Sequence, residues 1–142
     1  MLNNIMTEGE CNKLRSLIHH ANNIVLCCHV SPDGDAIGSV LGMAEVLKCM
    51  GKEPVMVVPD QFPDYLQWLP NTEKIVRYDK RSDYVDMVLK IADLVICLDF
   101  NALSRTDDME AALEACTAPR VLIDHHLNPS IACQVCVSHP NM

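Results

Sequence analysis

Three apolar runs along the chain each end at a polar residue that could bind a metal ion. The runs and the residues that follow them are 24–28 with His29, 94–98 with Asp99, and 121–123 with Asp124. Short unbroken apolar runs are typical of strands that are buried on both faces of a parallel sheet. Because the carboxyl ends of parallel strands meet at one edge of the sheet, we expect these polar residues to lie around one crevice.

Between these runs, apolar residues recur every three or four positions, which predicts amphipathic helices. Thr7 and Glu10 form a capping-box pattern, so a first helix is expected from about residue 8 to 21. Further helices are expected from about Ala36 to Lys48, across 85–92 and across 109–116, and further strands across 54–58, 75–78 and 131–137. This alternation predicts an α/β fold in which helices cover both faces of a mostly parallel sheet.

A chain of 142 residues with 49% hydrophobic content can form one domain with its own core. Charged residues such as Glu8, Glu10 and Lys13 interrupt the N-terminal apolar positions, which excludes a signal peptide or a membrane span there. We therefore expect a cytoplasmic protein with no membrane contact. The net charge of −8 argues against broad electrostatic binding of nucleic acid, so a phosphate substrate would have to be attracted locally by metal ions.

The eight cysteines do not predict a disulfide scaffold. Five of them lie within predicted strands or helices and are interpreted as small core residues in a reducing compartment: Cys27, Cys28, Cys49, Cys97 and Cys116. Cys133 and Cys136 have the spacing of a metal or redox motif, but no second pair accompanies them and the surrounding alternation favours a strand.

Four aspartates would converge at the crevice: Asp33, Asp35, Asp99 and Asp124. Carboxylates roughly 5 Å apart at an effective dielectric near 20 repel by about 3 kcal/mol per pair, and no lysine in these motifs offsets that repulsion. Oxygen and imidazole ligands without thiolate suit Mn²⁺, Mg²⁺ or Fe²⁺ better than a structural zinc. Two ions roughly 3.5–4 Å apart, bridged by a carboxylate, are typical of sites that catalyse phosphoryl displacement.

Three motifs together resemble the first three motifs of the DHH phosphoesterase family. They are His29-x-x-x-Asp33-x-Asp35, Asp99 followed by Arg105, and Asp124-His125-His126. The resemblance covers about residue 24 to the end and is greatest for the nanoRNase and pAp (3′-phosphoadenosine 5′-phosphate) phosphatase branch. It implies a Rossmann-like DHH domain, a Mn²⁺-dependent hydrolase and exonuclease that acts on short single-stranded oligonucleotides and related nucleotides, and a homodimer for the full-length protein.

The resemblance also implies a role for each motif residue. His29, Asp33 and Asp99 would hold one ion, and Asp35, Asp99 and His125 would hold the other, so that Asp99 bridges the pair. His126 would hydrogen-bond the scissile phosphate, Asp124 would orient a histidine, and Arg105 would contact a substrate phosphate or brace the Asp99 loop. His139 stands near the place of a family aspartate that completes the second metal's ligands, and a ligand and a loop histidine are equally open.

Family members are longer and carry a C-terminal DHH-associated domain that binds substrate across a cleft. Residues 1–142 are therefore expected to be the N-terminal DHH domain of a larger enzyme. Within the superfamily, a cyclic dinucleotide phosphodiesterase or a pyrophosphatase is the alternative activity. A receiver-like signalling domain is the non-enzymatic alternative, but it needs a lysine after the last core strand, where this chain has Asp124-His125-His126.

Three smaller predictions concern residues outside these motifs. His19 and His20 lie on the first predicted helix, away from the carboxylates, and are expected at the surface. Tyr65 and Trp68 could stack on a base, but their three-residue spacing favours packing against the core. Gly38 would allow close backbone packing near the start of the second helix.

Overall fold

The computed structural model describes residues 8–98, 103–124 and 135–138. The helices are α1 (Glu8–His20), α2 (Gly34–Cys49), α3 (Ser82–Ile91) and α4 (Glu110–Ala115). The strands are β1 (Ile24–Cys27), β2 (Val55–Val58), β3 (Val76–Arg77), β4 (Leu94–Leu98), β5 (Arg120–Asp124) and β6 (Val135–Ser138). Three short 3-10 helices complete the described elements: η1 (Asp64–Trp68), η2 (Thr72–Lys74) and η3 (Leu103–Met109).

The six strands form one sheet in the order β3-β2-β1-β4-β5-β6, and every neighbouring pair is parallel. The chain moves from β1 outward to β3 and then returns to the other side of β1 with β4. The order therefore reverses between β1 and β4, and ligands of such sheets bind in the crevice at the carboxyl ends of the strands on either side of this point. The predicted parallel α/β sheet is confirmed.

Successive strand residues point to opposite faces of the sheet, and each face has its own apolar cluster. On one face, Leu26 and Ile96 pack with Ile18 of α1 and Val40 of α2. On the other face, the cluster joins alternate strand residues to the buried sides of α3 and α4: Val25, Cys97, Leu89 and Leu113. The prediction that helices cover both faces is confirmed.

The end of α2 shows how local hydrogen bonds join two elements. Gly51 adopts a left-handed conformation with φ of 81°, and its amide donates to the Lys48 carbonyl at 3.0 Å, while the Lys52 amide donates to the Leu47 carbonyl at 2.9 Å. This pair of bonds is a Schellman motif, and glycine adopts its left-handed residue without steric cost. The Lys52 ammonium then donates to the carbonyls of His19 and Ala21, which connects α2 to the end of α1.

Several predicted details differ from the structure. The helix α2 begins at Gly34, two residues before Ala36, because Asp33 caps it. A Cβ on Gly38 would meet no described atom within 4 Å, so the predicted close packing there is not found among the described residues. Tyr65 and Trp68 are exposed rather than packed in the core, because Leu66 is the residue by which η1 enters the core.

The cysteine prediction is largely confirmed. Cys27, Cys28, Cys97 and Cys116 are buried, and none of the cysteines with described side chains forms a disulfide. A hydrogen bond with Cys97, together with burial, raises the pKa of the Cys27 thiol well above its usual range. Cys49 contradicts the prediction, since it lies exposed in the last turn of α2.

The segment from Leu103 to Met109 precedes the helix that was expected across 109–116, and it forms 3-10 turns that break at Asp107, where φ is 51° and ψ is −117°. His19 and His20 are exposed, as predicted. No helix in the described ranges is both long enough and apolar enough to cross a bilayer.

Candidate metal centre

The turn between β1 and α2 carries the first motif at the carboxyl edge of the sheet. His29 is 8% exposed, and its Nδ1 lies 2.7 Å from the carbonyl oxygen of Val30. A carbonyl oxygen only accepts hydrogen bonds, so Nδ1 must carry the proton. In the neutral imidazole the lone pair is then on Nε2, which lies 3.8 Å from Asp33 Oδ1.

This pair of atoms fits a divalent cation. A separation of 3.8 Å between His29 Nε2 and Asp33 Oδ1 is too long for a hydrogen bond between them. A single ion with metal–ligand bonds of about 2.1 Å could contact both atoms. A neutral imidazole nitrogen beside a carboxylate is also the donor chemistry that Mn²⁺ and Fe²⁺ accept.

Asp33 has a structural role as well as a predicted metal-binding role. Its Oδ1 accepts a hydrogen bond from the Ala36 amide at 2.9 Å, and its carbonyl accepts one from the Ile37 amide at 3.0 Å. Asp33 therefore caps α2, and the positive end of the helix dipole stabilises its negative charge. Asp35 lies exposed in the first turn of the same helix, so the sequence brings two carboxylates to one helix N-terminus.

Neighbouring segments hold this turn from two sides. The Val30 amide donates to the Arg105 carbonyl at 2.6 Å, and the Ser31 amide donates to Asp60 Oδ1 at 2.6 Å. Ser31 has φ of 52°, a conformation that costs a residue with a side chain roughly 1–2 kcal/mol. Bonds from the segments after β2 and before α4 thus fix the turn in a shape that isolated peptides disfavour.

Neither of these two bonds was predicted from the sequence. Asp60 follows β2 by two residues, so a strand-end acid was a signal that could have been used for it. The Arg105 contact uses a backbone carbonyl, and no side-chain pattern reports such a bond. The Arg105 side chain is exposed on η3, and its predicted contact with phosphate or with the Asp99 loop stays a prediction.

The remaining predicted ligands lie outside the described residues: Asp99, His125, His126 and His139. The described strands nevertheless end beside one another, because β4 ends at Leu98 and lies between β1 and β5. At the end of β5, the backbone of Asp124 pairs with Ser138 of β6. Within the described ranges no three metal-binding side chains converge, so His29 and Asp33 are the part of the predicted site that the structure brings together.

A cleft opens beside the turn. It has a volume of about 330 Å³ and is lined by Ser31, Pro32, Asp33, Gln61, Phe62 and Pro63. Its lining therefore combines the turn that carries Asp33 with the segment that leads from β2 to η1. A group bound in this cleft would contact the candidate ligand Asp33 directly.

Comparisons with known proteins agree with this architecture. The family model described as "DHH family, N-terminal domain" matches residues 23–141. The bifunctional oligoribonuclease and PAP phosphatase NrnA of Thermus thermophilus is 47% identical over 51 residues, which are 36% of this chain and 15% of that protein.

A crystal structure of an exopolyphosphatase-related protein from Bacteroides fragilis superposes with a TM-score of 0.94 at 38% identity. The superposition covers 97% of this chain and 41% of that protein, so this chain spans less than half the length of that relative. Since the family model matches most of the chain, from just before β1 past the end of β6, the chain belongs to the DHH family.

Proposed function

We propose that this chain is the metal-binding domain of a phosphoesterase that hydrolyses short oligonucleotides or 3′-phosphoadenosine 5′-phosphate with two divalent ions. The observation that carries the proposal is the His29 Nε2 atom, which lies 3.8 Å from the Asp33 carboxylate at the point where the strand order reverses. The name of the Thermus thermophilus relative supports this substrate class.

Two Mn²⁺ ions are the proposed cofactor, and Mg²⁺ or Fe²⁺ would also suit the ligands. When bound, such ions lower the pKa of a water and neutralise charge on the phosphoryl oxygens. In the proposal, His29 and Asp33 would hold one ion, Asp35 and His125 would hold the other, and Asp99 would be a ligand of both.

Other residues of the chain would act on the substrate. His126 would donate a hydrogen bond to the scissile phosphate, and Asp124 would orient a histidine of the site. Arg105 would bind a substrate phosphate or brace the loop that carries Asp99. His139 would complete the second ion's ligands or remain a loop residue.

The chain also offers an anion-binding element of its own. The amides of Gly34 and Asp35, at the first two positions of α2, have no partner within the helix. Together with the helix dipole, they favour a phosphate next to Asp33. Local binding of this kind suits a chain with a net charge of −8, which lacks the overall positive charge of a general nucleic-acid binder.

A substrate panel tests the proposal. With Mn²⁺ present, we expect release of phosphate from 3′-phosphoadenosine 5′-phosphate or of mononucleotides from di- to pentanucleotides. The panel also contains cyclic di-AMP, pyrophosphate and inorganic polyphosphate, the last because the Bacteroides fragilis relative is exopolyphosphatase-related. Hydrolysis of pyrophosphate, polyphosphate or cyclic di-AMP alone would overturn the proposed substrate class, and activity unaffected by a chelator would overturn the metal mechanism.

The second domain, the homodimer and the cytoplasmic location stay predictions.

A phosphodonor such as acetyl phosphate would test the receiver-like alternative, and we expect it to label no aspartate of this chain.

A further inference from the structure

Two large aromatic side chains are exposed on η1. Tyr65 is 67% exposed and Trp68 is 76% exposed, while Leu66 between them is only 6% exposed and anchors η1 in the core. In a 3-10 helix, residues three apart lie one above the other, so these two aromatic side chains project from the same side of η1. We call this pair the aromatic platform.

The aromatic platform is continuous with the cleft beside the candidate metal ligands. Phe62 and Pro63 line that cleft together with Asp33, and η1 begins at the next residue, Asp64. The same segment is tied to the metal-binding turn by the bond from the Ser31 amide to Asp60.

Distance along η1 fits a nucleotide substrate. A 3-10 helix rises about 2 Å per residue, so the Cα atom of Trp68 lies about 10 Å from that of Pro63, and Tyr65 lies nearer. This distance corresponds to about three nucleotides stacked at 3.4 Å each. A base one to three nucleotides from a phosphate bound beside Pro63 in this cleft would span the distance to the aromatic platform.

We propose that the aromatic platform binds a nucleobase of the substrate by stacking. This inference rests on the proposed function and deepens it, because it names the group that would distinguish a nucleotide from polyphosphate or pyrophosphate. Stacking on aromatic side chains tolerates any base, since every base has a π-face. It also needs no positive charge, which suits the acidic composition of the chain.

Trp68 is the chain's only tryptophan, so its fluorescence reports on the aromatic platform directly. The probe is a 5′-phosphorylated diadenylate with a phosphorothioate linkage, titrated into the 142-residue chain with Mg²⁺, because paramagnetic Mn²⁺ would itself quench the emission. The comparison probe has the same backbone and charge but lacks both bases. We expect the diadenylate to quench Trp68 saturably, and the abasic probe to bind about tenfold more weakly without quenching.

Variants separate stacking from a structural role, with binding measured by equilibrium dialysis of the labelled diadenylate. Trp68→Ala and Tyr65→Ala should each weaken binding about tenfold, and Trp68→Phe should stay within about twofold of the parent because it keeps an aromatic face. Met87→Ala is the matched control, since Met87 is 50% exposed on α3, which packs on the other face of the sheet. Its binding should equal that of the parent.

Three results would overturn the inference. One is diadenylate binding that leaves the Trp68 emission unchanged, and another is equal quenching by the abasic probe. The third is a blue-shifted emission that acrylamide cannot quench, since it would mean that another part of the protein covers the aromatic platform. Hydrolysis of unmodified diadenylate is assayed separately with the chain in excess over the substrate, because turnover by this chain alone is expected to be slow. Hydrolysis without quenching refutes only the aromatic platform, and quenching with no hydrolysis even under excess chain refutes only the proposed function.

Discussion

The His29 and Asp33 side chains illustrate how backbone contacts would prepare the proposed metal site. The Val30 carbonyl accepts a hydrogen bond from Nδ1 of His29, and the Ala36 amide donates one to the Asp33 carboxylate. Each contact orients one donor atom before any ion is present, which lowers the entropy lost on binding. Metal binding by His29 would therefore depend on its tautomer as well as on its position.

Replacing His29 should weaken metal binding. We expect His29→Ala to lower the affinity of the chain for Mn²⁺ at least tenfold, because the carboxylate of Asp33 loses its imidazole partner. Isothermal titration with Mn²⁺ measures this change. His20→Ala is the control, since His20 is exposed on α1 and its Nδ1 contacts the Ser16 carbonyl within the same helix. An equal loss of Mn²⁺ affinity in both variants would show that His29 is not a metal ligand.

A second residue pair makes stability depend on pH. The Arg77 guanidinium contacts both carboxylate oxygens of Asp79, at 3.0 and 2.7 Å, and these bonds lower the pKa of Asp79. Because the folded pKa lies below the unfolded value, the pair stabilises the fold above the ordinary carboxyl pKa of about 3.9 and ceases to do so as the pH falls through the folded pKa.

Asp79→Asn should therefore lower the free energy of unfolding at pH 7. The difference between parent and variant should disappear in acid, once Asp79 is protonated in the folded parent. The loss at pH 7 should be under about 1 kcal/mol, since both side chains are partly exposed and solvent screens the pair. Urea unfolding of parent and variant at pH 7 and below pH 4 measures it. Arg77→Gln breaks the same pair and should behave alike, and a difference that is constant with pH would contradict the assignment.

At the scale of elements, a glycine inside α2 and a glycine just after its end should respond oppositely to replacement by alanine. Gly42 lies in the helix interior, where an added Cβ meets no described atom within 4 Å, so Gly42→Ala should stabilise the chain by about 1 kcal/mol. Gly51 has φ of 81° at the helix end, so Gly51→Ala should destabilise it by a similar amount. Thermal unfolding measures both, and shifts of the same sign would contradict the described end of α2.

The elements that could be predicted from the sequence are those with a periodic signal. The strand β4 was predicted at its observed bounds because a run of five apolar residues, too short for a typical helix, favours a buried strand. The 3-10 turns of η3 were missed, since their stability depends on contacts such as the one between the Arg105 carbonyl and the Val30 amide. Tyr65 and Trp68 were wrongly expected in the core, because three-residue spacing also occurs on the exposed side of a 3-10 helix.

The positions of the candidate site residues could be predicted from the sequence, but the contacts that hold them could not. Donor residues placed directly after buried strands could be assigned to one edge of the sheet, and His29 Nε2 lies 3.8 Å from Asp33 Oδ1, while their role as metal ligands stays a prediction. The bonds that hold their turn could not be predicted, because they join residues that are far apart in sequence and depend on backbone geometry. The left-handed conformation of Ser31 has no signal in its residue type.

At the scale of the whole molecule, sheet topology accounts for the position of the site. The strands β1, β4 and β5 are neighbours at the centre of the sheet, so residues that follow them share one edge. The proposed metal ligands therefore lie along this one edge, and this chain covers 41% of the length of the Bacteroides fragilis relative.

A cleft with one wall should position the substrate poorly. We expect the 142-residue chain to hydrolyse 3′-phosphoadenosine 5′-phosphate with a kcat/KM at least about 100-fold below that of a full-length family member acting on the same substrate. Circular dichroism and Mn²⁺ titration serve as controls that the chain is folded and binds metal. Equal kcat/KM values would show that the remaining part of a full-length family member does not help to position the substrate.

The central claim is that residues at three strand ends hold two metal ions, and the number of Mn²⁺ ions bound per chain tests it most directly. Equilibrium dialysis with metal analysis should give two ions for the parent chain and a loss at both positions for Asp99→Asn, because a bridging carboxylate serves both ions. His29→Ala should lose one ion only. A parent chain that binds fewer than two ions, or an Asp99→Asn variant that retains one of them at full affinity, would contradict the account.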